Sequence, residues 1–272
     1  MRWSKSPPLH ISANRLRFDI HEGPEGAQTV VLSSGLGGSA GYWSANLPAL
    51  TARHRVVTYD HRGCGRTGGS VPEGTTIADM ADDLQEVLEA SATPRAHIVG
   101  HALGGLIGLE MALRTPERVA SLTLINAWSR VDGQSLRCFE TRLALLDHAG
   151  VPAFVRAQPL FLYPGEWMAA RPEHMAAEEA HGIAHFQGVE NVKRRIAALA
   201  AFDRDDRLGE VAVPVLALAT RDDLLVPWSR SARLAEGIAG ARFVLEPEGA
   251  HAVNVTRPER FDTILADFLS NV

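Results

Sequence analysis

The feature that most constrains the fold is the stretch at residues 96–105, which reads Ala-His-Ile-Val-Gly-His-Ala-Leu-Gly-Gly. An apolar run typical of a buried strand ends at Gly100, and a helical pattern follows at 103–114. Glycines at 100 and 104 allow the two backbones to approach closely, because glycine has no Cβ. The stretch therefore predicts a strand that turns sharply into a helix, with Ala102 at the strained centre of the turn.

The spacing of the turn is that of the nucleophile elbow, G-x-S-x-G, which lifts a serine side chain above the edge of a sheet. The central residue here is Ala102, which has no hydroxyl group. A covalent acyl-enzyme at this position is therefore excluded.

Composition and charge restrict the class of protein. A chain of 272 residues with 46% hydrophobic and 22% charged residues can bury a large globular core. A formal net charge of -5 argues against a nucleic-acid partner, because phosphates bind to basic surfaces. The first twenty residues lack the apolar region of a signal peptide, and no apolar run is long enough to span a membrane. The two distant cysteines fit a reducing compartment, so we expect a cytoplasmic protein.

Strand and helix patterns alternate along the first half of the chain. Strands are predicted at 9–13, 15–21, 29–34, 54–59, 96–100 and 119–127, and helices near 40–52, 76–91 and 103–114. The alternation resumes with strands at 213–220 and 242–245 and helices near 229–238 and 258–270. This pattern is typical of an α/β protein with a mostly parallel sheet that helices cover on both faces.

The alternation stops between Trp128 and about Leu208, where no buried strand pattern occurs and the periodicity is helical. We interpret this segment as a helical insertion, or cap, over the carboxyl edge of the sheet. The predicted division is a core of residues 1–127 and 209–272 and a helical insertion of residues 128–208.

Two further loops carry ionisable side chains to the same edge, since the carboxyl ends of parallel strands meet there. Asp222 and Asp223 follow the strand at 213–220, and His251 follows the strand at 242–245. The chain order of elbow, acid and histidine is that of α/β-hydrolases. We expect His251 to be the general base and Asp223 to orient its ring, with Asp222 as the alternative acid.

Two backbone amides are candidates for an oxyanion hole, which binds the negative oxygen of a reaction intermediate. They belong to Leu103, which follows the centre of the elbow, and to Leu36, in the glycine-rich loop after the strand at 29–34.

For three other features we favour a structural or surface role over a catalytic or metal-binding one. His101 is expected to pack behind the elbow, and Cys64 is on the wrong loop to replace the missing nucleophile. Helical spacing places four side chains on one face, where a metal site is conceivable but a polar surface is favoured: His174, Glu178, His181 and His185. We therefore predict no metal and no cofactor.

With these residues in place, the chain resembles α/β-hydrolase-fold proteins, and among them the hydrolase family of the bacterial Rut pathway of pyrimidine utilisation (Rut D family). The resemblance extends from Ser34 to Thr256 and includes alanine at the centre of the elbow. It is most specific in the helical insertion, at 137–139, 158–164, 167–171 and 184–188. The longer N-terminus of this chain is the one departure, and it bears on neither the site nor the fold.

The resemblance implies a hydrolase that acts on a carbon–nitrogen bond of a small labile compound in pyrimidine catabolism. The expected substrate is carbamate, giving ammonia and carbon dioxide, or aminoacrylate. Since the centre of the elbow carries no serine, water activated by His251 and Asp223 is the expected nucleophile. Because pockets need aromatic walls and a few polar groups, the expected lining is Trp128, Gln158, Tyr163, Trp167 and His185. Trp128 and Trp167 fit the core of the insertion equally well.

Two other functions stay open. One is a non-catalytic binding protein for a small molecule on a hydrolase fold. The other is a serine ester or amide hydrolase whose nucleophile has been replaced by alanine. Turnover distinguishes the binding protein from the hydrolase, whereas the oligomeric state, a homodimer included, is left open by the sequence.

Overall fold

The computed structural model describes residues 10–272, in which eight strands form one sheet of order β1-β2-β4-β3-β5-β6-β7-β8. The strands β3 to β8 are parallel, whereas β1 and β2 are antiparallel at one edge. The strands are β1 (His10–Ile11), β2 (Arg17–His21), β3 (Thr29–Ser33), β4 (Arg55–Tyr59), β5 (Ala96–His101), β6 (Val119–Ile125), β7 (Val215–Thr220) and β8 (Arg242–Glu246). The mostly parallel sheet of the predicted α/β-hydrolase fold is confirmed. The predictions for residues 1–9 lie outside the described residues.

Helices cover both faces of the sheet, each over its own apolar cluster. One cluster joins the sheet to α1 (Leu47–Thr51) and α11 (Pro258–Leu269) through side chains such as Leu50 and Phe261. The other joins it to α2 (Ile77–Ala90), α3 (Leu103–Arg114) and α9 (Trp228–Gly237). A four-residue helix, α10 (Val253–Thr256), precedes α11.

The prediction of one continuous helix near 40–52 is wrong. The structure has a 3₁₀ helix at Ala40–Trp43 and a separate helix α1 at Leu47–Thr51. Pro48 lies in the first turn of α1. Proline disfavours a helical residue before it, so the proline suits the start of a helix and not its interior.

A helical insertion separates β6 from β7, as the loss of strand–helix alternation predicts. Its helices are α4 (Gly133–His148), α5 (Gly150–Leu162), α6 (Gly165–Ala169), α7 (Pro172–Ala184) and α8 (Val189–Ala201), followed by a 3₁₀ helix at Asp205–Glu210. A single antiparallel bridge between Arg130 and Asp203 ties its two ends together. The limits 128 and 208 stay a prediction. Among residues 10–272, no helix is both long enough and apolar enough to cross a membrane.

The strand β5 and the helix α3 touch through backbone atoms. A Cβ added to Gly100 would lie 2.3 Å from the carbonyl oxygen of Gly104, and a Cβ added to Gly104 would lie 2.0 Å from that of Ser33. Neither contact can accommodate a methyl group without moving backbone. The two glycines therefore hold β3, β5 and the start of α3 at a spacing that other residues do not permit.

We expect Gly104→Ala to destabilise the protein. Alanine in a helix is favoured over glycine by about 1 kcal/mol, but the clash with Ser33 forces backbone movement, and overpacking of this kind costs about 1–3 kcal/mol or more. Urea unfolding should therefore show a net loss. Gly209→Ala is the matched control, because an added Cβ at Gly209 meets no atom within 4 Å. Equal stability of the two variants would contradict the close contact.

The buried His97 on β5 makes the stability depend on pH. Its Nδ1 pairs with Ser121 Oγ at 2.8 Å and its Nε2 with Gln28 Oε1 at 2.9 Å. Burial lowers the pKa of His97 to about 4. An unfolded histidine titrates near 6.5, so the unfolded chain takes up this proton first as the pH falls.

The contribution of His97 is therefore fully present above pH 6.5 and is lost as the pH falls towards 4. A difference of about 2.5 pKa units corresponds to about 3 kcal/mol. We expect the free energy of unfolding, measured with urea at pH 7.5 and pH 4.5, to fall less in His97→Gln than in the unsubstituted protein. Parallel pH profiles of the two proteins would contradict this assignment.

Candidate active site

Ala102 occupies the turn between β5 and α3, and its side chain is almost completely buried. Its backbone has φ 46° and ψ -109°, a conformation that residues other than glycine rarely adopt. The Ala102 amide donates to Ile125 O at 2.9 Å, and the Ala102 carbonyl accepts from Leu106 N at 3.1 Å. The neighbouring strand and the first turn of α3 thus fix the strained turn from both sides.

His251 and Asp223 form a buried pair. Nδ1 of His251 lies 2.7 Å from Asp223 Oδ2, and the two side chains are 2% and 0% exposed. The other carboxylate oxygen of Asp223 accepts from the amides of Leu225 and Val226 at 2.8 and 2.9 Å. With the Nδ1 proton directed to Asp223, Nε2 is the nitrogen that can accept a proton. Nε2 has no hydrogen-bond partner among the described residues and is not sealed from solvent.

Asp222, the alternative acid, has a different task. Its two carboxylate oxygens accept from the amides of Gly249 and Ala250 at 3.1 and 2.9 Å. It therefore holds the backbone of the loop that leads into His251, while Asp223 holds the ring. The acid that contacts His251 is the one that the sequence analysis favours.

Asn126 is a residue that the sequence analysis missed. It follows β6 in a left-handed conformation with φ 47°. Its Nδ2 donates to His251 O at 2.7 Å and to Ala250 O at 3.2 Å, and its Oδ1 accepts from Thr220 N at 3.1 Å. Asn126 thus joins the end of β7 to the loop of His251. The sequence feature that could have identified it is an asparagine at the end of a strand that neighbours the elbow. Asparagine tolerates the left-handed conformation better than most residues.

The amides of Leu36 and Leu103 find no protein acceptor among residues 10–272. Leu103 is the first residue of α3, where the amides of a helix are free and the helix dipole is positive. The loop of Leu36 lies against the elbow, because a Cβ on Gly35 would come within 2.9 Å of His101 Nδ1. The Leu36 carbonyl is held from the helical insertion by Arg195 Nη1 at 3.1 Å and by Gln187 Nε2 at 3.4 Å.

His101 packs directly behind this arrangement. Its Nε2 lies 2.9 Å from the carbonyl oxygen of His251, so this nitrogen carries the proton and donates it. Its ring lies 4.6 Å from that of His251 and 5.1 Å from that of Tyr42. Burial holds the pKa of His101 well below its usual value. The residue therefore stays neutral and supports the loop of His251.

Tyr163 lies where the helical insertion contacts the loop of His251. The preceding carbonyl, of Leu162, accepts from Ala252 N at 3.0 Å, next to His251. The Tyr163 hydroxyl donates to Glu178 Oε1 at 2.9 Å, and its ring lies 4.8 Å from that of Trp167. Burial and the neighbouring carboxylate raise the pKa of Tyr163.

The other predicted pocket residues have separate surroundings. Trp128 is buried with its ring 6.3 Å from Phe139, and Gln158 accepts from the guanidinium of the buried Arg142. His185 is exposed and stacks on His181 at 4.2 Å. In the described part of the chain, its hydrogen bond runs to His181 and not to the elbow or the dyad.

The side chains of the helix face considered for a metal contact protein groups, since Tyr163 donates to Glu178 and His174 packs on Trp167 at 5.5 Å. His174 Nε2 lies 3.6 Å from Glu178 Oε2. No group of three or more metal-ligating side chains among residues 10–272 is arranged to hold an ion.

Comparison with known proteins places the chain in a family. The family model of the alpha/beta hydrolase fold matches residues 28–258. "Putative carbamate hydrolase RutD" of Rhizobium rhizogenes is 56% identical over 256 residues, which cover 93% of this chain and 97% of the relative. The protein of the same name from Variovorax paradoxus is 51% identical, with 94% and 97% covered. The chain therefore belongs to the RutD family within the α/β-hydrolase fold.

Two solved structures have the same fold as this chain. The enol-lactonase of Burkholderia xenovorans superimposes with a TM-score of 0.86 at 26% identity, covering 97% of this chain and all of that one. A hydrolase from Pseudomonas aeruginosa gives 0.84 at 27% identity, with 98% and 99% covered.

We expect Ala102→Ser to create a serine nucleophile beside His251. The variant should release chromophore from a small activated ester in a pre-steady-state burst, because the acyl-enzyme forms before it hydrolyses. The unsubstituted protein should show no burst in the same stopped-flow experiment. The matched control is the double variant Ala102→Ser with His251→Ala, which lacks the base. A folded Ala102→Ser protein without an acyl adduct in mass spectrometry would count against an elbow placed for catalysis.

Proposed function

We propose that this protein hydrolyses carbamate to ammonia and bicarbonate or carbon dioxide, with water as the nucleophile. The observation that carries the proposal is the buried His251–Asp223 dyad beside an elbow that has alanine in place of serine. The proposed substrate follows from the relatives, whose printed name is that of a carbamate hydrolase. Aminoacrylate, another small labile nitrogen compound, is the second substrate to test.

In the proposed reaction, a water molecule takes the place that a serine oxygen occupies in related enzymes. His251 Nε2 accepts a proton from this water as its oxygen attacks the carbamate carbon. Asp223 stabilises the resulting imidazolium, and the amides of Leu36 and Leu103 donate to the oxygen that gains charge. The imidazolium then returns its proton to the nitrogen as the carbon–nitrogen bond breaks, which releases ammonia and leaves bicarbonate.

The substrate class fits the limited power of such a site. Removing the nucleophile of a serine hydrolase costs about a million-fold in turnover. What remains is a base, two oxyanion donors and the orientation of the bound substrate. These suit a compound that decays unaided and needs only modest acceleration. Carbamate and aminoacrylate are both of this kind.

We further propose that Tyr163 forms the wall of the pocket nearest the dyad, because the residue before it is hydrogen-bonded to the loop of His251. Trp167 packs on that ring and extends the wall. Gln158, Trp128 and His185 are proposed as outer residues of the pocket.

A binding protein without turnover is the second candidate, and the missing hydroxyl is the observation that favours it. A binding protein should leave the decay rate of carbamate unchanged. It should also retain ligand when His251 is replaced by alanine.

We expect the protein to accelerate carbamate decay, followed at alkaline pH by ¹³C NMR of the carbamate and bicarbonate signals. His251→Ala and Asp223→Asn should each lower kcat/KM by about 100-fold or more, because general base catalysis contributes about 10²–10⁴-fold. His148→Ala is the matched control, since His148 is exposed on α4. Decay that the unsubstituted protein does not accelerate, combined with measurable binding by calorimetry, would replace the proposal with the binding function.

A further inference from the structure

A small cavity lies between the sheet, α2, α3 and α8. It offers about 20 Å³ to the centre of a water-sized occupant, enough for a single small molecule or ion. Its polar lining comes from Tyr59, His61, Arg62, Thr75, Asp83 and Arg195. None of these residues belongs to the dyad or the elbow.

Arg195 on α8 is a buried cation without a carboxylate. It is 1% exposed. Its Nη1 donates to Leu36 O at 3.1 Å, Gln187 Oε1 at 2.9 Å and Cys64 Sγ at 2.5 Å, and its Nη2 donates to the carbonyl of Arg62. All of these acceptors are uncharged. Residues 1–9 contain no aspartate or glutamate that could supply the missing charge.

The cavity lining offers no free carboxylate to Arg195. Asp83 is engaged by Arg62, whose Nε and Nη2 lie 3.1 and 2.5 Å from its two oxygens. Burial raises the pKa of the Cys64 thiol, so the thiol stays neutral. The lining therefore carries two cations and one anion. A buried charge without a partner is costly, which favours an anion over a water molecule as the occupant.

Two donors at the cavity lack acceptors. Nε of Arg195 and Nε2 of His61 are buried, and neither has a hydrogen-bond partner in the described part of the chain. His61 is 4% exposed and stacks on Tyr59 at 4.8 Å. Burial and the charge of Arg195 hold the pKa of His61 well below its usual value. A neutral His61 can still donate from Nε2.

We propose that this cavity binds a halide-sized monovalent anion, chloride in solution, through the Nε–H groups of Arg195 and His61. The anion neutralises Arg195, which also holds the carbonyl of Leu36. The site is separate from the dyad, so it stands whether or not carbamate is the substrate. Its occupancy should stabilise the fold at the contact between α8 and the glycine-rich loop.

The direct test is a crystal of the unsubstituted protein soaked in sodium bromide, with anomalous data collected at the bromine edge. We expect an anomalous peak in the cavity within hydrogen-bond distance of Arg195 Nε and His61 Nε2. A cavity that holds only water, without anomalous signal, would overturn the proposal.

A second test uses thermal unfolding in sodium chloride or bromide against sodium gluconate at equal ionic strength, since gluconate is too large for the cavity. We expect the halides to raise the Tm by about 2–4 °C in a saturable way. His61→Phe, which keeps an aromatic ring against Tyr59, and Arg195→Met should each abolish the rise. Arg142→Met is the matched control, because Arg142 is also a buried arginine but does not line the cavity. A halide effect that persists in both cavity variants would overturn the proposal.

Discussion

The backbone contact between Gly104 and Ser33 and the contact between Gly100 and Gly104 set the geometry of the site. A Cβ added to either glycine would lie 2.0–2.3 Å from a backbone carbonyl oxygen, so neither position has room for a side chain. The strands β3 and β5 and the helix α3 therefore meet more closely than they could otherwise. This approach leaves Ala102 in its strained conformation at the sheet edge. It also places the free amide of Leu103 beside the loop that follows β3, which carries Leu36. The positions of the Leu36 and Leu103 amides therefore depend on the absence of side chains at these two glycines.

A network of carboxylate and amide groups positions His251. Asp222 and Asp223 are neighbours in the chain, yet one binds backbone amides and the other binds the imidazole ring. Asn126 adds donors to the carbonyls of the same loop. The side chains of Asp223 and Asn126 are buried, and leaving a buried donor or acceptor unpaired would be costly. The loop before His251 is thus fixed from β6 and β7 at the same time.

The helical insertion is joined to the core by polar contacts as well as by apolar packing. Leu162 accepts from the amide that follows His251, and Arg195 donates to the carbonyl of Leu36. Each of these contacts ends on a loop of the site. A shift of the insertion would therefore be transmitted both to the loop of His251 and to the loop of Leu36. The second contact involves the buried charge of Arg195, so its loss would leave a charged donor unpaired in the interior.

The sequence by itself determined the strand–helix alternation, the sharp turn at Ala102, and the order of elbow, acid and histidine, since these depend on local periodicity and on glycine. It also located the helical insertion, because the alternation visibly stops there. Only the tertiary structure decided which aspartate meets His251, that Asn126 braces its loop, and that Arg195 is buried without a carboxylate. These depend on residues 28 to 159 positions apart in the chain, such as the Asp223–His251 and Leu36–Arg195 pairs. Local patterns carry no information about which distant polar group will satisfy a buried one.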